Sequence, residues 1–188
     1  MAKMAICRIK SLSAYSSSRA HETPKLDREI SDAYEKRTWR EKAHVDSGRI
    51  YIPPMAFKMG LDRAAKMLGE QIPGKGKATY TKFFESGVLC TQPVFIADAV
   101  EMECERVYAN ADGVRGSGKR VWRLFPRINN WTAEVCFEVL AGEITKEVFE
   151  RHLKQAGLFV GVGRFRPEKG GFFGRYSVES VRWEEIPL

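Results

Sequence analysis

The sequence has few of the residues that usually carry metal binding or acid–base catalysis. It contains only four cysteines and three histidines. The cysteines show no CxxC or other metal-ligand spacing, and no paired-carboxylate motif or nucleophile elbow is present. We therefore expect no metal site and no cofactor. We interpret Cys7, Cys90, Cys104 and Cys136 as small buried hydrophobes of a reducing compartment.

Long apolar runs are also missing. No stretch approaches the roughly 18 apolar residues of a membrane span, and the first eight residues lack the apolar core of a signal peptide. We therefore expect no membrane partner, and a cytoplasmic location by default.

Acidic residues are the minority charge. The 188 residues include 31 Lys or Arg against 24 Asp or Glu, which gives a net charge of +7. This balance favours polyanionic partners. Three glycine-containing basic segments carry much of it, around residues 74–82, 112–127 and 157–178. Loops of like charge repel one another unless an anion lies between them. We therefore interpret the three segments as walls of one groove for a polyanion.

The chain is long enough for one domain, so we treat residues 1–188 as a single unit with an insertion at about 13–48. The insertion has mixed charge, with a short helix expected around residues 27–42. Apolar periodicity predicts the other elements, which are strands at Met4–Leu12, Arg49–Ile52, Val88–Ala97, Glu101–Ala109, Trp131–Val139 and Phe173–Trp183, and helices after Pro53 and Thr145 that end near Gly69 and Gly157.

Without the insertion, this order is βαββαβ. It predicts an α+β, ferredoxin-like (RRM-like) fold, with two helices on one face of a sheet. The other face of such a sheet commonly reads nucleic acid.

Two segments imitate a phosphate-binding loop. Gly69–Gly76 and Gly113–Arg120 both fit the glycine and lysine spacing, but each lacks the Ser or Thr that holds magnesium. The first also follows a helix instead of a strand. We therefore do not expect nucleotide hydrolysis.

The stretch from Gly157 to Val178 combines six glycines, four Arg or Lys residues and several aromatic rings. Amide groups and arginines suit phosphate, and flat rings suit bases. On an extended strand, Arg164 and Arg166 would share a face opposite Phe165. Gly161 and Gly163 would leave bare backbone that a phosphate or a neighbouring subunit approaches closely.

Residues from these segments and the insertion form the predicted nucleic-acid site. The lysines and arginines would hold phosphates, whereas Tyr80, Trp122, Phe165 and Phe172 would stack on bases. The predicted site residues are Arg19, Lys75, Lys77, Tyr80, Arg115, Lys119, Arg120, Trp122, Arg123, Gly161, Gly163, Arg164, Phe165, Arg166, Lys169 and Arg175.

Two alternatives stay open. A metal-free ribonuclease would use His21 or Tyr15 as its acid or base, while His152 is interpreted as a surface residue of the last helix. A structural or decoy protein would instead place the basic loops against an acidic protein surface.

The glycine-rich stretch, Gly161-Val162-Gly163-Arg164-Phe165-Arg166 and Gly170-Gly171-Phe172-Phe173-Gly174-Arg175, resembles the glycine-rich loop of the RAMP superfamily. Arg49-Ile50-Tyr51-Ile52-Pro53-Pro54 is similar to the strand, Ile-Pro, helix junction of backbone subunits of CRISPR effector complexes. The resemblance covers residues 4–12 and 49–183. It implies non-catalytic binding of single-stranded RNA, with DNA as the other option, and copies repeated along the strand. It further implies other ribonucleoprotein subunits as partners and a thumb-like hairpin at about 109–127.

Overall fold

A computed structural model describes residues 2–111, 114, 116 and 118–187. The described strands are β1 (Ala2–Ser11), β2 (Tyr15–Ser16), β3 (Val45–Asp46), β4 (Arg49–Ile52), β5 (Val88–Leu89), β6 (Val94–Asp98), β7 (Glu103–Asn110), β8 (Arg120–Ile128), β9 (Thr132–Val139) and β10 (Tyr176–Ile186). The α-helices are α1 (Ser31–Thr38), α2 (Pro54–Leu68), α3 (Thr81–Gly87) and α4 (Lys146–Gln155).

A four-stranded sheet in the order β10-β1-β9-β5 organises the fold. All its neighbouring strands are antiparallel, with Cys7 opposite Val181 on one side and Val135 on the other. The first strand lies in the middle, the last strand lies beside it, and α2 and α4 connect the strands. This is the predicted ferredoxin-like α+β arrangement, which is confirmed.

The core lies between this sheet and the two helices. Ala5, Cys7 and Ile9 alternate along β1 and are fully buried, as are Phe57 of α2 and Phe149 of α4. Each buried Phe, Leu or Ile side chain stabilises the fold by about 1.5–3 kcal/mol. The period of two in the strand and of about 3.6 in the helices therefore brings the apolar residues to one shared interior.

Local signals set the helix ends. Pro54 occupies the first turn of α2, and Gly69 ends it with φ 54°, its N–H donating to the carbonyl of Ala65 at 3.1 Å. Thr145 caps α4 by accepting from the N–H of Val148 at 3.4 Å. α4 ends at Gln155, close to Gly157 as predicted, and the chain then continues through a π-helical turn at Ala156–Val160.

Some predicted boundaries were wrong. The strand expected at Val88–Ala97 is divided into β5 and β6, which join different sheets. The last strand begins at Tyr176, because the preceding loop folds back on itself through a hydrogen bond from the N–H of Phe173 to the carbonyl of Phe165. The insertion helix is shorter than expected, and a 3₁₀ turn at Trp39–Lys42 follows it.

His152 is fully buried, so its interpretation as a surface residue was wrong. Its Nδ1–H donates to the carbonyl of Val148 at 2.7 Å, and its ring stacks on Phe84 at 4.4 Å. Burial lowers the pKa of the imidazole, which favours the neutral form. Cys7 and Cys90 are buried as expected. Cys104 is exposed and Cys136 is half-buried, so the expectation was wrong for these two cysteines.

The insertion is joined to the body by a buried carboxylate. Glu35 of α1 accepts from Lys42 Nζ at 2.6 Å and from the N–H of Leu124 on β8 at 2.9 Å. Arg123 donates to its other oxygen at 2.6 Å. Burial opposes the ionisation of Glu35, but these hydrogen bonds outweigh it and hold the pKa below its usual value. The insertion is thereby fixed against the β7–β8 hairpin.

Candidate nucleic-acid interface

A groove of about 360 Å³ lies where the glycine-rich stretch meets α2 and the start of the insertion. We call it the arginine groove, since it is lined by Arg19, Arg63, Arg164 and Arg166, with Gly161 and Gly163 between them. No carboxylate is among the described residues that line it. The groove therefore offers guanidinium and backbone groups to an anion.

The four arginines are not equally free. Arg63 and Arg166 share one carboxylate, Glu168, with the Arg166 Nε donating at 3.0 Å. Arg19 has no side-chain hydrogen bond or ion pair within the described part of the chain, and its side chain is exposed. Guanidinium donors therefore exceed the local acceptors, which leaves capacity for phosphate oxygens.

Arg164 is different, because its contacts hold the fold together. Its side chain is 10% exposed, pairs with Glu105 of β7 and donates to the Ser16 hydroxyl at 3.1 Å. Its guanidinium lies 3.9 Å from the centre of the Phe125 ring. Burial lowers the pKa of this group, although Glu105 opposes the shift. Arg164 is therefore largely buried, and its donors serve the fold.

The predicted extended geometry around Phe165 was also wrong. Phe165 has φ 51°, a left-handed conformation, so residues 164–166 do not alternate as on a strand. The Phe165 ring is nonetheless 48% exposed and lines the groove, where a base can stack on it.

The fold itself requires glycine at both glycine positions of the groove. Gly163 has φ 82°, and a Cβ there would lie 2.4 Å from the carbonyl oxygen of Ser16. A Cβ on Gly161 would lie 2.8 Å from Pro167. The bare backbone that we predicted for a ligand is therefore covered on its Cβ side by neighbouring residues. Both glycines still form part of the groove wall.

The face of the central sheet opposite the helices does not match the expected nucleic-acid surface. Alternation and register place Arg8, Lys10 and Arg182 on it, but they also place Glu134, Glu138 and Glu184 there. Such a balanced face does not concentrate positive potential. The arginine groove is the better candidate.

The loop at residues 71–82 contributes nothing to the groove. Lys75 pairs with Glu143 at 2.8 Å, and Lys77 is exposed elsewhere. Tyr80 is 5% exposed and packs against His152, so the prediction that it stacks on bases was wrong. The three basic segments therefore do not surround one common groove.

The β7–β8 hairpin has one exposed aromatic and cationic face. The rings of Tyr108 and Trp122 lie 5.1 Å apart, with Arg106 4.2 Å from Trp122 and Arg120 4.9 Å from Tyr108. Lys119 is exposed near the tip. The predicted residue Arg115 lies outside the described residues.

Three other predicted contacts have different surroundings. Arg123 donates to Glu35 and to the carbonyl of Ala111 at 2.7 Å, so its donors serve the fold. Arg175 donates to the carbonyl of Leu158 at 3.3 Å. Lys169 is exposed in the short turn after the groove but does not line it.

Sequence reasoning missed the contribution of α2. Ala56, Gly60 and Arg63 lie on one face of that helix and line the groove. Their spacing of four and three residues is the signal that could have found them. His44 was also missed. Burial lowers its pKa, and the nearby Arg19 adds to the effect.

The two residues considered for catalysis are poorly exposed. Tyr15 lines the groove but is 2% exposed, and burial raises the pKa of its hydroxyl to about 12. His21 has a side chain that is 12% exposed, with Nδ1 3.4 Å from a Glu41 oxygen. Within the described ranges, no group of His, Cys, Asp and Glu could hold a metal ion, and no helix is long and apolar enough to cross a membrane.

Comparison with solved structures identifies the fold. The chain aligns with a chain in the cryo-EM structure of the Type III-B Cmr-beta bound to cognate target RNA, with a TM-score of 0.55 and 9% identity. The alignment covers 98% of this chain and 61% of that one. This chain shares the fold of the aligned Cmr-beta chain and spans less than two thirds of that chain's length.

Two weaker similarities were also found. Cmr6 from Pyrococcus furiosus gives a TM-score of 0.49 with 14% identity, covering 94% of this chain and 98% of Cmr6. A chain of a CRISPR RNA-guided surveillance complex gives 0.44 with 10% identity, covering all of this chain and 72% of that one. No family model matches the sequence, and no curated protein does.

Proposed function

We propose that this chain is a RAMP-type subunit that binds single-stranded RNA without cleaving it. The observation that carries the proposal is the arginine groove, which offers the guanidinium groups of Arg19, Arg63 and Arg166 and has no carboxylate among its described lining residues. Phosphate oxygens fit such donors, and the exposed ring of Phe165 gives a base a surface for stacking.

The preference for RNA over DNA has separate support. The Cmr-beta structure that shares the fold is described as bound to cognate target RNA. We extend this property to the present chain, together with assembly into a ribonucleoprotein and several copies along one strand. The exposed hairpin face with Trp122 would add a second stacking surface beyond the groove.

The absence of cleavage is part of the proposal. Tyr15 is a poor general base, because a phenol is already protonated at neutral pH and burial raises the pKa of this one further, to about 12. A 5′-labelled RNA incubated with the protein should stay intact on a denaturing gel. If the wild type cuts the RNA and His21→Ala abolishes the cut, the ribonuclease alternative replaces this proposal.

Binding is tested with Arg19→Ala, because Arg19 has no partner to lose within the described chain. We expect the affinity for an oligouridylate of about 12 nucleotides to fall by about 1.5 kcal/mol or more, the value of one charged hydrogen bond. Fluorescence anisotropy measures the affinity. The free energy of unfolding should stay within about 0.5 kcal/mol of the wild type.

Arg49→Ala is the matched control. Arg49 is also exposed, and its guanidinium lies 4.4 Å from the Phe95 ring, but it does not line the groove. Its loss should leave RNA affinity nearly unchanged. Equal effects of the two substitutions would point to general charge attraction and against a site in the groove. No RNA binding by the wild type, with binding to acidic proteins instead, would favour the decoy alternative.

A further inference from the structure

A second cavity adjoins the arginine groove and has a different chemistry. It has a volume of about 790 Å³ and is built by the insertion. Arg19 lines both cavities, so the two open next to each other. We call the second one the insertion cavity, and its polar lining is Arg19, His21, Glu22, Thr23, Arg40 and Glu41.

The charges of the insertion cavity are balanced. Arg19 and Arg40 line it together with Glu22 and Glu41, whereas the arginine groove has no carboxylate in its described lining. A balanced set does not favour phosphate, because carboxylates repel it. It suits the edge of a nucleobase, which presents both hydrogen-bond donors and acceptors.

The Arg40 side chain lies against an aromatic ring with its donors unused. Its guanidinium lies 4.5 Å from the centre of the Trp39 ring. It makes no side-chain hydrogen bond or ion pair within the described ranges, and it is exposed. An arginine fixed by an aromatic ring presents a planar fork of donors at little entropic cost.

Glu41 has one oxygen engaged and one free. Thr23 Oγ1 donates to Oε2, and His21 Nδ1 lies 3.4 Å from the same atom. The other oxygen, Oε1, has no hydrogen bond from the described residues, and the side chain is 41% exposed. The contacts to Oε2 fix the carboxylate so that Oε1 can accept from a ligand.

We infer that the insertion cavity selects a guanine base of the strand that the arginine groove holds. Guanine offers two acceptors, O6 and N7, to an arginine fork, and its N1–H and N2 amino group to a carboxylate. Arg40 supplies the donors, Glu41 supplies the acceptor, and Arg19 holds the phosphate between the two cavities. This inference rests on the proposed function, because the groove must bind the strand first.

The test compares oligouridylates of one length that carry a single central G, A or C. A bidentate base contact corresponds to a gain of about fivefold to a hundredfold in affinity. We expect this gain for G alone, measured by fluorescence anisotropy. Inosine, which lacks the N2 amino group, and 7-deazaguanine, which lacks N7, should each lose part of it.

Two variants assign the gain to its residues. Glu41→Gln and Arg40→Ala should each reduce the preference for G to about twofold or less while leaving affinity for the plain oligouridylate nearly unchanged. Arg49→Ala, with its comparable ring contact, should keep the full preference. Should Glu41→Gln lose its circular dichroism spectrum, Arg40→Ala decides, because the Arg40 side chain is exposed.

The outcomes separate the two proposals. If the wild type binds the plain oligouridylate but G gives no gain, or A or C gives a larger one, the inference is overturned and the proposed function stands. The same holds if the gain persists in both variants. If the plain oligouridylate does not bind at all, the proposed function itself fails.

Discussion

Arg164→Ala should destabilise the fold more than the loss of any other arginine of the groove. The substitution removes the ion pair with Glu105, the 3.1 Å bond to the Ser16 hydroxyl and the guanidinium 3.9 Å from the Phe125 ring. A charged hydrogen bond contributes about 1.5–3 kcal/mol, and a desolvated cation–π contact about 1–2 kcal/mol. These terms are not additive, and burial of the guanidinium opposes them. We therefore expect a loss of about 2–3 kcal/mol.

Urea unfolding followed by circular dichroism measures this loss. With a slope of about 2 kcal/mol per molar urea, the midpoint should fall by about 1–1.5 M. Arg19→Ala is the control, because that side chain has no described partner and its midpoint should stay near the wild type. Glu105→Ala combined with Arg164→Ala should cost less than the sum of the single changes by at least about 1 kcal/mol. A midpoint for Arg164→Ala equal to that of Arg19→Ala would refute the structural role of Arg164.

Three further predictions concern the glycine wall, the buried histidine and the hairpin. Gly163→Val should lower both the melting temperature and RNA affinity, because φ is 82° and the new Cβ would meet the Ser16 carbonyl at 2.4 Å; an unchanged melting temperature would contradict this. The free energy of unfolding should fall as pH drops below about 6.5, and His152 should contribute up to about 1.4 kcal/mol per pH unit to this fall, because the unfolded chain takes up a proton that the buried imidazole resists. In His152→Leu, the urea midpoint should depend less steeply on pH over that range, and the remaining dependence should come from His44. An equally steep dependence would exclude His152 as the cause. Trp122→Ala should weaken RNA binding by about 1–3 kcal/mol and lower stability by no more than about 1 kcal/mol, the value of its cross-strand pair with Tyr108. Unchanged anisotropy titrations would remove the hairpin from the interface.

Most of the fold could be predicted from local sequence patterns. Apolar residues alternate from Trp131 to Val139 and recur with helical spacing after Pro54, because each element buries one face against the same core. The division of Val88–Ala97 into two strands could not be read in this way, because each half pairs with a partner distant in sequence: Val88 with Val139, and Val94 with Ile52.

The candidate site was predictable only in part. The glycine-rich stretch has a composition signal of its own, and its residues 160–166 line the groove together with the predicted residue Arg19. The role of Arg164 depends on Glu105, which is 59 positions away, so no local pattern reveals it. The prediction for Tyr80 was wrong for a different reason. An aromatic residue in a basic loop has the same sequence signature whether its ring is buried or exposed.

The most direct test of the account is the salt dependence of RNA binding. If Arg19, Arg63, Arg166 and one hairpin cation neutralise about four phosphates, log K should fall with log salt at a slope of about −3. From about 50 to 200 mM salt, the affinity should then fall about fifty-fold. Arg19→Ala should make the slope shallower by about 0.7, whereas Arg49→Ala should leave it unchanged. A nearly salt-independent affinity, or an unchanged slope in Arg19→Ala, would contradict the arginine groove as the RNA site.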